Sequence, residues 1–300
     1  MNISKMVLGT VQLGLDYGIN NPRGKPSKSE SLAMLERAHE RGIRVFDTAF
    51  GYGDAEEIIG EFIAVKKLGD QVRVISKLEP NCVPEKSGDV LRIVESGLRA
   101  SLRRLGRTWI DGYLLHTSSY IFREEIVNAL NECKANGLVK NIGVSVYEEA
   151  EALAASQSPF IDYIQIPYSV FDQRLDHTDF FSLAKANGKK VFARTAFLQG
   201  LIFMAEEKIP ERLSEVKKHL RILDDIILRY GLSRLQAALL FPLSKSEIEY
   251  IVFGVDTMEQ LNNDIDAVSS LAPNPECVAE LQKHFSRMEK SLVFPSLWKK

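Results

Sequence analysis

The sequence predicts an α/β chain of the (β/α)8 TIM-barrel class, eight parallel strands closed into a ring and separated by helices. Short β-type runs alternate with amphipathic stretches along its length, the order expected of parallel strands joined by crossover helices. Eight such runs within 300 residues suit a closed barrel better than an open doubly wound sheet. The first run is also not followed by the GxGxxG turn with which such an open sheet usually begins.

The strand candidates fall at 6–9, 45–47, 72–76, 112–115, 141–144, 163–166, 190–193 and 250–253. Between them, apolar positions recur at helical spacing over 30–41, 56–65, 89–104, 123–136, 148–156 and 180–187. The seventh crossover, about 210–243, is longer and has room for an extra helix. Gly42, Gly137 and Gly188 each end an amphipathic run, as left-handed C-terminal caps do. With no low-complexity linker and no fixed repeat, residues 1–300 are expected to form one domain.

Hydrophobic residues at 45% and charged residues at 26% give enough apolar side chains for a large core without disulfides or metal. The 38 basic and 40 acidic residues are spread along the chain, for a net charge of -2, so no basic field invites nucleic acid or anionic lipid. Cys82, Cys133 and Cys277 are odd in number and far apart, which fits a reducing compartment. Without a leader pattern or a long apolar run, a cytoplasmic address with no membrane partner is expected. The sequence leaves a monomer or a small homo-oligomer open.

In a barrel, chemistry gathers where strands end. The second strand ends in Phe46-Asp47-Thr48-Ala49 and runs into Gly51-Tyr52-Gly53, the third ends in Ser76-Lys77, and the fourth in Leu114-Leu115-His116. Singly, Asp47 could cap a turn, Lys77 could be a solvated charge and His116 a satisfied loop residue. Together they suit carbonyl reduction. A tyrosine hydroxyl can donate a proton to an oxygen that gains charge, an ammonium can lower its ordinary pKa of about 10, and a carboxylate can hold that ammonium. Histidine can orient the carbonyl. The expected roles are therefore Tyr52 as acid, Lys77 as its tuner, Asp47 as the partner of Lys77, and His116 as orienter.

At these residues the sequence resembles the aldo-keto reductase family, whose Asp, Tyr, Lys and His tetrad stands in this order on these strand ends. The likeness continues through residues 42–49, Glu56 and Gly60, the 111–116 segment, Gly143-Val144-Ser145, residues 164–168, residues 197–201 and residues 237–244. The resemblance implies an NAD(P)-dependent oxidoreductase that reduces an aldehyde or ketone to an alcohol, its partner being a small-molecule carbonyl compound. It places the nicotinamide carboxamide against Ser145 and Gln165, although Val146 stands where the family commonly has Asn. It places Arg194 and Thr195 near the nicotinamide, Phe197, Gln199 and Gly200 at the pyrophosphate, and Gly254, Gln260, Asn263 and Asp264 around the adenosine. Family usage puts NADP(H) first and NAD(H) second, yet the adenosine segment holds no Lys or Arg, and Asp264 would repel a 2′-phosphate.

The polar loop 15–26, with Asn20, Asn21 and Arg23, together with Arg194, points to a small hydroxylated or anionic carbonyl such as a sugar derivative. The tail residues Phe294 and Trp298 either cover the pocket or pack on the barrel. One alternative is a catalytically weak nucleotide-binding barrel serving as a regulatory or redox-sensing subunit; the intact tetrad speaks against it. A metal-dependent hydrolase is a poorer fit and no metal is expected, because four of the five histidines, His39, His177, His219 and His284, fall mostly in helical stretches.

Overall fold

The computed structural model describes residues 1–86 and 88–298. Strands β1 (Met6–Gly9), β2 (Val45–Asp47), β3 (Arg73–Lys77), β4 (Ile110–Leu115), β5 (Val139–Ser145), β6 (Tyr163–Pro167), β7 (Lys190–Arg194) and β8 (Ile248–Gly254) close into a ring in sequence order. Every neighbouring pair is parallel, and the ring closes with Leu8 opposite Phe253. All eight strand expectations hold. Five strands are longer than expected by one to three residues, because barrel pairing recruits polar end residues such as Lys140, Arg194 and Glu249 that no apolar pattern marks.

The helices are α1 (Val11–Gly14), α2 (Lys28–Glu40), α3 (Ala55–Val65), α4 (Val90–Leu105), α5 (Glu124–Ala135), α6 (Glu149–Gln157), α7 (Phe180–Ala186), α8 (Val216–Arg229), α9 (Arg234–Leu243), α10 (Met258–Ser270), α11 (Pro275–Phe285) and α12 (Lys290–Val293). Ser27 with Glu30, and Ser233 with Gln236, form capping boxes that start α2 and α9. Gly42, Gly137 and Gly188 follow their helices with positive φ, as their positions at the ends of amphipathic runs imply. The long seventh crossover does hold the extra helix, as α8 and α9. Among the described residues no single helix is long and apolar enough to cross a membrane.

Two apolar layers hold the ring. Val7, Val45, Ile75, Leu114, Tyr163, Phe192 and Tyr250 fill its interior, while outward side chains such as Leu8, Phe46, Val74 and Ile164 pack under the helices. Because strand side chains alternate, the residue two beyond an interior one also points inward, now at the mouth. Val45, Ile75, Leu114, Tyr163 and Phe192 are thus followed inward by Asp47, Lys77, His116, Gln165 and Arg194. The apolar packing of the barrel is what aims this polar layer.

Candidate active site

The mouth opens into a groove lined by Asp47, Tyr52, His116, Ser145, Gln165 and Arg194, and continuing past Thr195, Gln199 and Gly200 to Gly254, Gln260 and Asp264. β4 and β8 stand opposite one another in the eight-stranded ring, so the groove crosses the whole mouth from His116 to Gly254.

Lys77 lies beneath it, only 1% exposed. Its ammonium donates to Asp47 Oδ2 at 2.7 Å and to the Thr48 carbonyl at 2.8 Å. Gln165 Nε2 donates to the other oxygen of Asp47, so the buried carboxylate is held from two sides. Burial pulls the Lys77 ammonium below its ordinary value, opposed by Asp47.

Tyr52 sits in the turn between β2 and α3, its ring centroid 5.0 Å from Lys77 Nζ and edge-on to His116 at 5.7 Å. Burial, then the Asp47 charge, push its phenol above the ordinary 10.0, while Arg194 pulls the other way. The Lys77 ammonium, bonded to Asp47 and Thr48, also stands beside the Tyr52 ring. Burial, with Lys77 and Arg194 nearby, drops His116 to about 3, so the imidazole is neutral at ordinary pH, and its buried Nδ1 has no hydrogen-bond partner.

The Tyr52 turn is placed by backbone packing. A Cβ on Gly14 would overlap the Tyr52 carbonyl oxygen, and one on Gly53 the Gly14 carbonyl oxygen. Gly14→Ala is therefore expected to cost about 1–3 kcal/mol by overpacking and to lower kcat more than it changes cofactor affinity. Urea unfolding and steady-state rates on one preparation check this; unchanged kcat would mean that the turn tolerates displacement.

Arg194 donates through Nε to Ser145 Oγ at 3.1 Å and through Nη2 to the Val146 carbonyl at 2.8 Å, with its guanidinium 4.2 Å from the Tyr147 ring centroid. Among the described residues no carboxylate pairs with it. Tyr147 packs in turn on Phe294 at 5.6 Å, so this tail residue braces the mouth through Tyr147. Val146 is buried in the helix-side core and offers the groove no side-chain hydrogen bond.

Loop 15–26 is tied over the groove, since Ile19 N donates to the Gln199 carbonyl and Gln199 Nε2 to the Tyr17 hydroxyl, both at 3.1 Å. Thr195, Leu198 and Gln199 all hold positive φ, a strained run at the groove wall. Asn20 lines the groove as expected. Asn21 is spent on its own loop, and Arg23, 64% exposed, pairs with Glu30 rather than overhanging the rim.

Of the adenosine residues, Gly254, Gln260 and Asp264 reach the groove, whereas Asn263 lies on the exposed face of α10 and does not. Asp264 is buried without a hydrogen bond or ion pair among the described residues, and burial pushes its carboxyl well above the usual range. The groove lining also includes Gln12 and Tyr147, which were not among the expected site residues, and Tyr17 and Asp256, from the polar loop 15–26 and the expected adenosine segment. Gln12 could have been found by applying the strand-end rule to the first strand. Among the described residues, no group of three or more His, Cys, Asp or Glu side chains is arranged to hold a metal ion.

A closed eight-stranded barrel with Asp, Tyr, Lys and His gathered at its mouth has the form of a barrel oxidoreductase. The Aldo/keto reductase family model matches residues 5–285, and the chain belongs to that family. It is 26% identical to the NADH-specific methylglyoxal reductase of Escherichia coli (strain K12), over 90% of this chain and 91% of that protein. It is 24% identical to the L-glyceraldehyde 3-phosphate reductase of Escherichia coli O157:H7, over 96% of this chain and 92% of the relative. The fold also matches the holo form of an aldo-keto reductase from Bacillus halodurans, with a TM-score of 0.75 at 20% identity, covering 96% of this chain and 94% of the other. The chain is thus an oxidoreductase of a family that uses NAD(P)H on small carbonyl compounds.

Proposed function

We propose that the chain, acting as one catalytic unit, reduces a small polar or anionic aldehyde or ketone to the alcohol, with Tyr52 as the proton donor. The carrying observation is the mouth cluster, in which Tyr52 and His116 face the groove above the buried Lys77–Asp47 pair. A dinucleotide fits the rest of the groove. Gln165 Oε1 and Gln12 Oε1 are buried acceptors without partners, and Gly200 and Gly254 line the wall, where Asn20 and Gln12 pack against them. Ser145 and Gln165 would hold the carboxamide end, and the 195–200 segment the pyrophosphate. When bound, NAD(P)H supplies the hydride that the carbonyl carbon accepts.

The chain's own residues supply the proton and the orientation. The raised phenol of Tyr52 stays protonated at neutral pH and hydrogen-bonds the carbonyl oxygen; as that oxygen becomes an alkoxide, a stronger base than phenolate, the proton moves across. Neutral His116 offers the same oxygen a dipole without competing as an acid. The Lys77–Asp47 pair fixes the floor beneath both.

Arg194, without a carboxylate partner, supports the anionic part of the reading, and the phosphorylated substrate in the name of one relative agrees with it. Arg194→Ala is expected to raise KM for a keto acid or a phosphorylated aldehyde about 10- to 100-fold, and KM for a neutral aldehyde much less. Kinetics on the three substrate types, followed by loss of reduced-nicotinamide absorbance, test the proposal. Equal effects on charged and neutral substrates would remove Arg194 from substrate recognition.

A further inference from the structure

We propose that the β8 end of the groove is built for a ribose with free hydroxyls, so that the chain takes NADH in preference to NADPH. The inference rests on the dinucleotide reading above, and it reverses the order that family usage implies.

Acceptor atoms without partners gather at this end. Gln12 Oε1 and Asp256 Oδ1 are buried with no hydrogen-bond partner. Asp264, 6% exposed, lines the same cavity and makes no hydrogen bond or ion pair among the described residues. Their positions are built rather than accidental. Gln260 Oε1 accepts from Asp256 N at 2.7 Å and holds the acid's loop against the first turn of α10. The Gln12 amide fills the space that a side chain on Gly254 would take, since a Cβ there would stand 2.5 Å from it.

An amide oxygen and a carboxylate need donors. Ribose hydroxyls can donate to such acceptors. A 2′-phosphate presents acceptor oxygens and added negative charge to the same atoms. Among the described residues, Arg194 is the sole Lys or Arg in the lining, and its bonds to Ser145 and the Val146 carbonyl turn it toward β5. Burial already pushes the Asp256 and Asp264 carboxyls upward; donors relieve that cost and a second anion adds to it.

Isothermal titration of the full chain with NADH and with NADPH, without carbonyl substrate, tests this independently of turnover. NADH should bind at least about tenfold more tightly. Asp256→Asn and Asp264→Asn, each checked by thermal melting, should weaken NADH and strengthen NADPH, so that the ratio contracts severalfold; Asp256 is the less buried and gives a second route if Asp264→Asn unfolds. Equal or tighter binding of NADPH by the native chain, or an unchanged ratio in both folded variants, would overturn the preference. Failure of both dinucleotides to bind would overturn the dinucleotide reading itself, and the preference with it.

Discussion

Tyr52→Phe is expected to lower kcat about 10²- to 10⁴-fold while leaving NADH affinity within about twofold, because it removes one transferable proton and keeps the ring. The ring lies edge-on to His116 and near the Lys77 ammonium, and Phe can keep both contacts. The loss should appear in kcat and in kcat/KM alike, since the proton transfer belongs to the transition state. Steady-state kinetics on an aldehyde turned over by the native chain, with titration of NADH into the variant, check both halves. Turnover close to native in Tyr52→Phe would transfer the acid role to another group.

Lys77→Met is expected to destabilise the fold by about 3–5 kcal/mol, because it leaves Asp47 as an uncompensated buried charge. Among the described residues, the Asp47 carboxylate would keep only the Gln165 amide as its donor, and the Thr48 carbonyl would lose one. Asp47→Asn should cost less, since a buried lysine can shed its proton, as burial already inclines Lys77 to do. The double variant should recover part of the single Lys77→Met loss, a coupling that urea unfolding of the four proteins would measure. Lys77→Met should also slow reduction, because an unopposed Asp47 pushes the Tyr52 phenol further up. If Lys77→Met were as stable as the native chain, the pair would contribute nothing to the floor of the site.

Strands β2, β3 and β4 were legible because their apolar runs stop at polar residues, Asp47, Lys77 and His116. Tyr52 was legible from its glycine flanks, of which Gly53 packs against Gly14 in the turn that places the ring. The direction of the Tyr52 shift was not legible, because it depends on which acceptors hold the Lys77 ammonium and on how far the ring is buried. Arg23 went to Glu30, the same residue that closes the capping box of α2, a choice between two nearby surface partners that spacing does not decide. Asp264 and Asn263 are neighbours in sequence, yet only one faces the groove, since the packing of α10 on the barrel selects the face. Gln12 sits on a one-turn helix too short to carry a periodic signal. Helices α11 and α12 lie beyond the last strand, outside the strand-helix alternation from which the fold class was read.

The identity of the proton donor can be read most directly from the pH dependence of a single turnover, with the chain preloaded with NADH and mixed with an excess of aldehyde. With Tyr52 as donor, the reduction rate should be flat from about pH 5 to pH 9, because the phenol lies above its ordinary 10.0 and His116 near 3, and it should fall only as alkali ionises the tyrosine. A rate that instead declines between about pH 6 and 7, as an imidazole loses its proton, would place the transferred proton on His116 and contradict the role of Tyr52.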